Sequence, residues 1–113
     1  MTIESYQFGN ITIDGETYTS DVIIYPDRVD SSWWRKQGHR LSIEDLKGIM
    51  EAEPEVLVVG MGSPGLMRVP PETRDYIEAR GIELVVEPTD KAWKTYNRLK
   101  DSRKVVAALH LTC

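Results

Sequence analysis

The sequence predicts an α/β domain with a mixed sheet. Two observations predict this class. Apolar residues alternate on both sides of Asp14-Gly15 in the first part of the chain, as in a β meander. The second half alternates short apolar runs with amphipathic segments, as in βαβ units. With 113 residues, the chain has the common size of one domain, and we expect a single domain over 1–113.

The first half predicts a hairpin, a strand and a helix. The hairpin spans Tyr6–Tyr18, because Asp-Gly is a strong two-residue turn signal. A short strand over residues 21–25 ends at Pro26. Residues 27–40 are polar and irregular, apart from Trp33-Trp34. Ser42 caps the helix with Asp45 reaching back to it, and the apolar stripe of that helix contains Ile43, Leu46, Ile49 and Met50.

The second half predicts strands that alternate with helices. Val56–Val59 is a buried strand. The prolines at 70 and 71 favour a helix start, and we expect a helix over about 71–80 with Gly81 as its left-handed cap. A strand follows over 82–87. Thr89 caps the next helix, which spans 90–101 and buries Ala92, Tyr96 and Leu99, and residues 104–112 form the last strand.

Composition limits the classes of partner. The net charge is -4, with 18 acidic and 14 basic residues, so nucleic acid is not an expected partner. The sequence contains no apolar run long enough to span a membrane and no basic-then-apolar export signal at its start. The single cysteine, Cys113, suits a reducing compartment. We therefore expect a cytoplasmic protein, and the composition leaves homo-oligomers open.

The loop after the buried strand is the main functional candidate. Residues 56–65 read VLVVGMGSPG, which matches the spelling G-x-G-x-x-G. A dinucleotide site needs a helix directly after the third glycine, whereas Pro64 and the later prolines delay it, so no cofactor is expected. The loop either only turns a corner or binds a small anion at the carboxyl edge of the sheet. The residues of that candidate site are Gly60, Gly62, Ser63 and Thr89, with Arg35 or Arg68 supplying charge.

No catalytic or metal-binding set is visible in the sequence. His39 lies in a loop and His110 in the last strand, and neither has metal-ligand spacing around it. Ser63 is not in a G-x-S-x-G motif. The tryptophan pair with Arg35 suits either a protein contact or closure of the core.

Three segments together resemble a known family. Trp34-Arg35 followed by 38–41 is similar to W-R-x-x-G-H-x-L, and 60–62 follows a buried strand as a G-x-G turn. Residues 89–105 carry a longer C-terminal pattern with Tyr96, Asn97 and Arg103. The combination resembles the small family that includes the mitochondrial complex I assembly factor three and an adipogenesis-associated relative.

The resemblance implies a three-layer α/β fold, with helices flanking a mixed central sheet and a β hairpin packed to one side. It implies no established enzyme activity and no catalytic residues. Our first hypothesis is a non-catalytic interaction or assembly module with a protein partner. The alternative is a small-molecule or anion-binding protein, open to catalysis, that uses the 60–65 loop and the start of the last helix.

Overall fold

A computed structural model describes all residues, 1–113, and confirms the mixed α/β class. The chain forms two sheets, one of three strands in the order β1-β2-β3 and one of five strands in the order β5-β4-β8-β6-β7. No helix has both the length and the apolar character needed to cross a membrane. The strands are β1 Ile3–Gln7, β2 Asn10–Ile13, β3 Glu16–Tyr18, β4 Val22–Ile24, β5 Val29–Asp30, β6 Val56–Gly60, β7 Glu83–Glu87 and β8 Val105–Leu109; the helices are α1 Lys47–Ala52, α2 Pro71–Glu78 and α3 Thr89–Leu99.

The N-terminal sheet is the predicted meander. Asp14 and Gly15 both have positive φ and form the turn that joins β2 to β3, because the twist of such a turn matches that of the strands. A second turn at Phe8-Gly9 joins β1 to β2. Ile11 and Ile13 alternate with more exposed neighbours, so one face of this small sheet packs against the core.

The five-stranded sheet is mixed, as predicted. β8 is the central strand and pairs antiparallel with β4, and β6 lies between β8 and β7 and pairs in parallel with both. Every residue of β6 and β8 is buried. Both faces of these strands are covered, which explains why they read as continuous apolar runs.

The side chains of β6 divide the interior into two cores. Val56 and Val58 face the core that contains α3 and the N-terminal sheet. Leu57 and Val59 face the core that contains α1 and α2. The period of two along a strand sends alternate residues to opposite faces. The result is the predicted arrangement of layers, with a hairpin-bearing sheet packed to one side.

The helix ends agree with the predictions in one case and differ in another. The capping box of Ser42 and Asp45 is present, although the helical segment begins with a 3₁₀ turn over Ile43–Leu46. Ile43 is 36% exposed, so it does not belong to the buried stripe. The prediction that the Thr89 side chain caps α3 is wrong: Pro88 holds the N-cap position and no side chain caps this helix.

Candidate functional site

The 60–65 loop lies at the carboxyl edge of the parallel strands, beside the start of α3. The Gly62 N–H donates to Thr89 Oγ1 at 2.8 Å, and the Thr89 N–H donates to the Gly62 carbonyl at 3.0 Å. These two bonds connect the loop to the helix start. The predicted juxtaposition of the two segments is therefore present in the structure.

Thr89 joins the loop to the last strand instead of capping its own helix. Its side chain is fully buried, and its hydroxyl donates to the His110 carbonyl at 2.6 Å while it accepts from Gly62. A hydroxyl carries one donor and two acceptor sites, so it can make both bonds. The capping interpretation fails because these two buried partners occupy the hydroxyl.

The glycines of the loop are explained by close packing within the chain. A Cβ at Gly60 would lie 2.7 Å from Thr89 Oγ1, and a Cβ at Gly62 would lie 2.8 Å from His110 Cδ2 and against the Thr112 carbonyl. Gly62 also has a φ of +93°, a conformation that side chains disfavour. The loop therefore needs glycine at both positions to pack against α3 and the C-terminal segment.

The remaining candidate residues of this site are also placed by backbone contacts. The Ser63 N–H donates to the Thr112 carbonyl at 3.0 Å. Arg68 is exposed, and its backbone bridges to the 39–41 segment through two hydrogen bonds of 2.8 Å, one to His39 and one from Leu41. The amides at 62, 63 and 89 all donate within the chain. The ligand-binding role of these residues stays a prediction.

Asp21, Arg35 and His110 form a buried polar cluster that the sequence did not reveal. Arg35 Nη1 lies 2.8 Å from Asp21 Oδ2, and His110 Nδ1 lies 2.9 Å from the same oxygen. Arg35 also donates from Nη2 to the Gly38 carbonyl at 2.8 Å. The side chains of Arg35 and His110 are 5% and 8% exposed. The cluster attaches the irregular 33–40 segment to the ends of β4 and β8.

Hydrogen bonds keep the Asp21 carboxylate ionised. Burial raises the pKa of Asp21, but hydrogen bonds from His110, the Leu111 N–H and Arg35 lower it by more, so the pKa lies below its ordinary value. An ionised carboxylate can only accept, so His110 Nδ1 carries the proton of this bond; Arg35 Nη2, which lies 3.1 Å from the same nitrogen, then donates to the Gly38 carbonyl instead. The polar cluster is thus an Asp21–Arg35 ion pair to which the imidazole of His110 adds a hydrogen bond.

The outer nitrogen of His110 has no partner. Nε2 is buried without a hydrogen bond, and the exposed ring of His39 lies edge-on to His110 with 6.0 Å between the ring centroids. The two histidines, far apart in sequence, do meet. No set of three or more metal-ligating side chains exists around them or elsewhere in the chain. No surface groove reaches either ring.

The adjacent tryptophans serve two different purposes. Trp33 is 8% exposed and packs in the core of α1 and α2, with the Arg35 guanidinium 4.7 Å from its ring centre. Trp34 is 76% exposed. Arg35 therefore has the structural duty that the sequence did not indicate, since it holds the segment from which Trp34 projects.

The positions of the C-terminal pattern are structural contacts. Tyr96 is 2% exposed, and burial raises its pKa to about 12. Asn97 accepts from the Ile3 N–H at 3.0 Å and donates to the Ile3 carbonyl at 2.6 Å. Arg103 lies 3.7 Å from Glu55 and 3.5 Å from Glu83. Asn97 thus binds the backbone of β1, and Arg103 pairs with two carboxylates.

The surface carries shallow grooves away from the glycine loop. A polar groove of about 440 Å³ runs beside Lys36, Arg40 and Glu72, where Arg40 and Glu72 form an ion pair at 2.5 Å. A neighbouring groove of about 540 Å³ lies between Ile43, Met50 and Tyr76. No groove is lined by residues 60–65.

Comparisons with known proteins agree with the sequence resemblance. The model of a family described as "Protein of unknown function (DUF498/DUF598)" matches residues 3–110. NADH dehydrogenase (ubiquinone) 1 alpha subcomplex assembly factor 3 of Danio rerio is 29% identical over 109 residues, which cover 94% of this chain and 61% of that protein. The chain thus spans about three fifths of the length of this curated relative.

Solved structures give the same result. A conserved hypothetical protein from Pyrococcus horikoshii OT3 is 30% identical, with a TM-score of 0.86 and full coverage of both chains. A protein from Bordetella parapertussis is 26% identical, with a TM-score of 0.75 over 97% of this chain and 94% of that one. Fold and family resemblance are therefore confirmed together.

Proposed function

Because the chain belongs to the DUF498/DUF598 family of proteins of unknown function, we infer its role from its own surface. We propose that it is a non-catalytic interaction or assembly module that binds a protein partner through Trp34. The Danio rerio relative is named as an assembly factor, which supports a partner-binding role. The observation that carries the proposal is an indole that projects into solvent while the residues on both sides of it are buried.

The contacts around Trp34 fix its position. Trp33 is buried in the core and Arg35 is tied to Asp21 and Gly38, so the backbone between them has little freedom. A side chain held on a rigid backbone loses little conformational entropy on binding. Tryptophan and arginine are also enriched among the residues that dominate binding energy. Trp34 therefore suits an anchor.

Its energetic value follows from its exposed area. A tryptophan side chain buries about 150–250 Å² when covered. At 76% exposure, covering Trp34 removes roughly 150 Å² from water, which is worth about 4 kcal/mol at ~25 cal/mol per Å². Side-chain ordering and imperfect polar contacts reduce this figure. We expect Trp34→Ala to weaken the complex at least ~30-fold, in the range of an interface hot spot.

Affinity capture from a native extract tests the proposal. Wild-type protein and the Trp34→Ala and Phe8→Ala variants are immobilised in parallel at several salt concentrations. Phe8 is the matched control because it is an aromatic residue that is 60% exposed, in the turn between β1 and β2. We expect one protein to be retained by wild type and Phe8→Ala but lost from Trp34→Ala. Equal retention by all three variants, or no retained protein at any salt concentration, contradicts the proposal.

The alternative function is a small-molecule or anion site at Gly60, Gly62, Ser63 and Thr89. The amides that such a site would use already donate within the chain, so an anion has to displace an existing bond. A thermal-shift series with phosphate, nucleotides and carboxylates at millimolar concentration separates the two functions. Stabilisation that Arg68→Ala abolishes favours the alternative, because a ligand that binds only the folded state raises its stability.

A further inference from the structure

The outer edge of β7 is a five-residue strand edge that the fold leaves open. β5 has two residues and β3 has three, so each offers few groups for pairing. On β1, the Asn97 side chain occupies both the N–H and the carbonyl of Ile3. β7 has five residues and pairs only with β6. β3 and β5 are thus short, β1 has its first residue bonded to Asn97, and β7 has no side chain bonded along its outer edge.

The direction of the β7 backbone groups follows from two observed bonds. The Glu83 N–H donates to the Glu55 carbonyl at 3.0 Å, and the Glu87 carbonyl accepts from Met61 at 2.9 Å. Residues 83, 85 and 87 therefore face β6. Because backbone groups alternate along a strand, the N–H and C=O groups of Leu84 and Val86 face outward. Neither residue takes part in a hydrogen bond outside the regular sheet and helix ladders.

The side chains around this edge have a definite chemical pattern. Leu84 and Val86 pack toward the core of α1 and α2, and Val85 packs toward the core of α3. All three remain partly exposed, although apolar. Glu83 and Glu87 stand at the two ends on the face of Val85, since positions two apart share a face. The edge is thus an apolar strip with a carboxylate at each end. Glu87 Oε1 accepts from Thr95 Oγ1 at 2.6 Å, and a carboxylate has further acceptor sites for a basic partner.

We propose that the outer edge of β7 binds an extended segment of another protein, which adds a sixth strand with Lys or Arg opposite Glu83 and Glu87 and apolar residues between them. Strand addition of this kind takes its affinity from main-chain bonds and its specificity from alternate side chains. Opposite charges on directly facing residues stabilise a strand pair. The Glu83 side chain is 59% exposed and its bond to Arg103 is long, at 3.5 Å, so its carboxylate can turn to a basic partner.

A second copy of this chain fits the edge less well. Full antiparallel pairing of two β7 strands places Val85 opposite Val85 of the copy, which sets Glu83 against Glu87 twice. Like charges directly opposite each other destabilise a strand pair. Shifting the register to separate the carboxylates leaves fewer residues paired. A basic, apolar segment satisfies both the backbone and the charges. The edge of β7 is separate from Trp34, since the neighbouring Arg35 is bonded to Asp21 just before β4, and β8 and β6 lie between β4 and β7.

Amide hydrogen exchange with a peptide probe tests this inference. The probe is acetyl-Thr-Lys-Leu-Val-Leu-Lys-Thr-amide, compared with the same peptide carrying Glu in place of both Lys. We expect the Leu84 and Val86 amides to exchange rapidly in the free protein and at least ~10-fold more slowly with millimolar Lys probe. Amides of 83, 85 and 87 should change little. Slow exchange at 84 and 86 in dilute protein, or no change with the probe, overturns the proposal.

Two variants make the test specific. Glu83→Lys should lower the affinity for the Lys probe about fivefold and raise the affinity for the Glu probe. A general loss of folding cannot produce this reversal. Val86→Pro removes an outward N–H that the native ladder does not use, so it should abolish probe binding while the amides of β6 stay protected. Equal binding of both probes to Glu83→Lys contradicts the charge pattern. Dimerisation at rising protein concentration, with protection at 84 and 86, identifies a second copy as the occupant and overturns the proposal.

Discussion

Replacing Thr89 by valine is the sharpest test of how the carboxyl edge is assembled. The change keeps the shape of the side chain and removes only the hydroxyl, which is fully buried and bonded to both Gly62 and His110. Each buried group left without a partner costs about 1–3 kcal/mol. Two such groups give an expected loss of about 2–6 kcal/mol in the free energy of unfolding, because the Gly62 N–H and the His110 carbonyl become unpaired together.

Urea unfolding measures this loss directly. A destabilisation of this size lowers the urea midpoint without changing the slope of the transition, and it lowers the melting temperature by about 8–25 °C for a chain of this length. Thr89→Ser is the matched control, since it keeps the hydroxyl and loses one methyl group, and it should retain most of the stability. A helix N-cap is worth typically ~1 kcal/mol. A loss of 1 kcal/mol or less for the valine variant refutes the two-bond interpretation.

Three further predictions concern Gly62, Asp21 and Tyr96. Gly62→Ala should cost about 3–5 kcal/mol, because a φ of +93° is strained for alanine and its Cβ meets His110 and the Thr112 carbonyl; a loss below 1 kcal/mol in urea unfolding contradicts this packing. The pKa of Asp21 is lowered in the folded state, so its stabilisation is fully present above the ordinary value of 3.8 and is lost as the pH falls through the lower folded value. Asp21→Asn should therefore be less stable than wild type at pH 7, and the difference in free energy of unfolding between the two should decrease below pH 3.8 in acid-unfolding curves. A difference that does not change with pH contradicts this prediction. Burial raises the pKa of Tyr96 from 10.0 to about 12, so its stabilisation is present below pH 10 and is lost as the pH approaches 12. In an absorbance titration at alkaline pH, the Tyr96→Phe variant should lack the step near pH 12 that wild type shows. Identical curves for the two proteins contradict the raised pKa of Tyr96.

The local sequence determines the elements where one residue type has one physical use. Asp14-Gly15 specifies its turn because both residues must adopt positive φ. The apolar run of β6 specifies a strand covered on both faces, and Ser42 with Asp45 specifies a capping box. The spacing of glycines and of the C-terminal pattern was enough to identify the family. Each of these features depends on neighbours within a few positions.

Only the tertiary structure decided what the polar side chains bind. Thr89 looked like a helix cap, yet its hydroxyl bonds to a loop and a strand that approach from distant parts of the chain. Asp21 and His110 are 89 positions apart, and no local pattern marks them as partners of Arg35. The openness of β7 is likewise a property of strand order, which places it at the edge. A hydroxyl or a carboxylate can satisfy many partners, so its choice is fixed by the three-dimensional packing that brings one of them within reach.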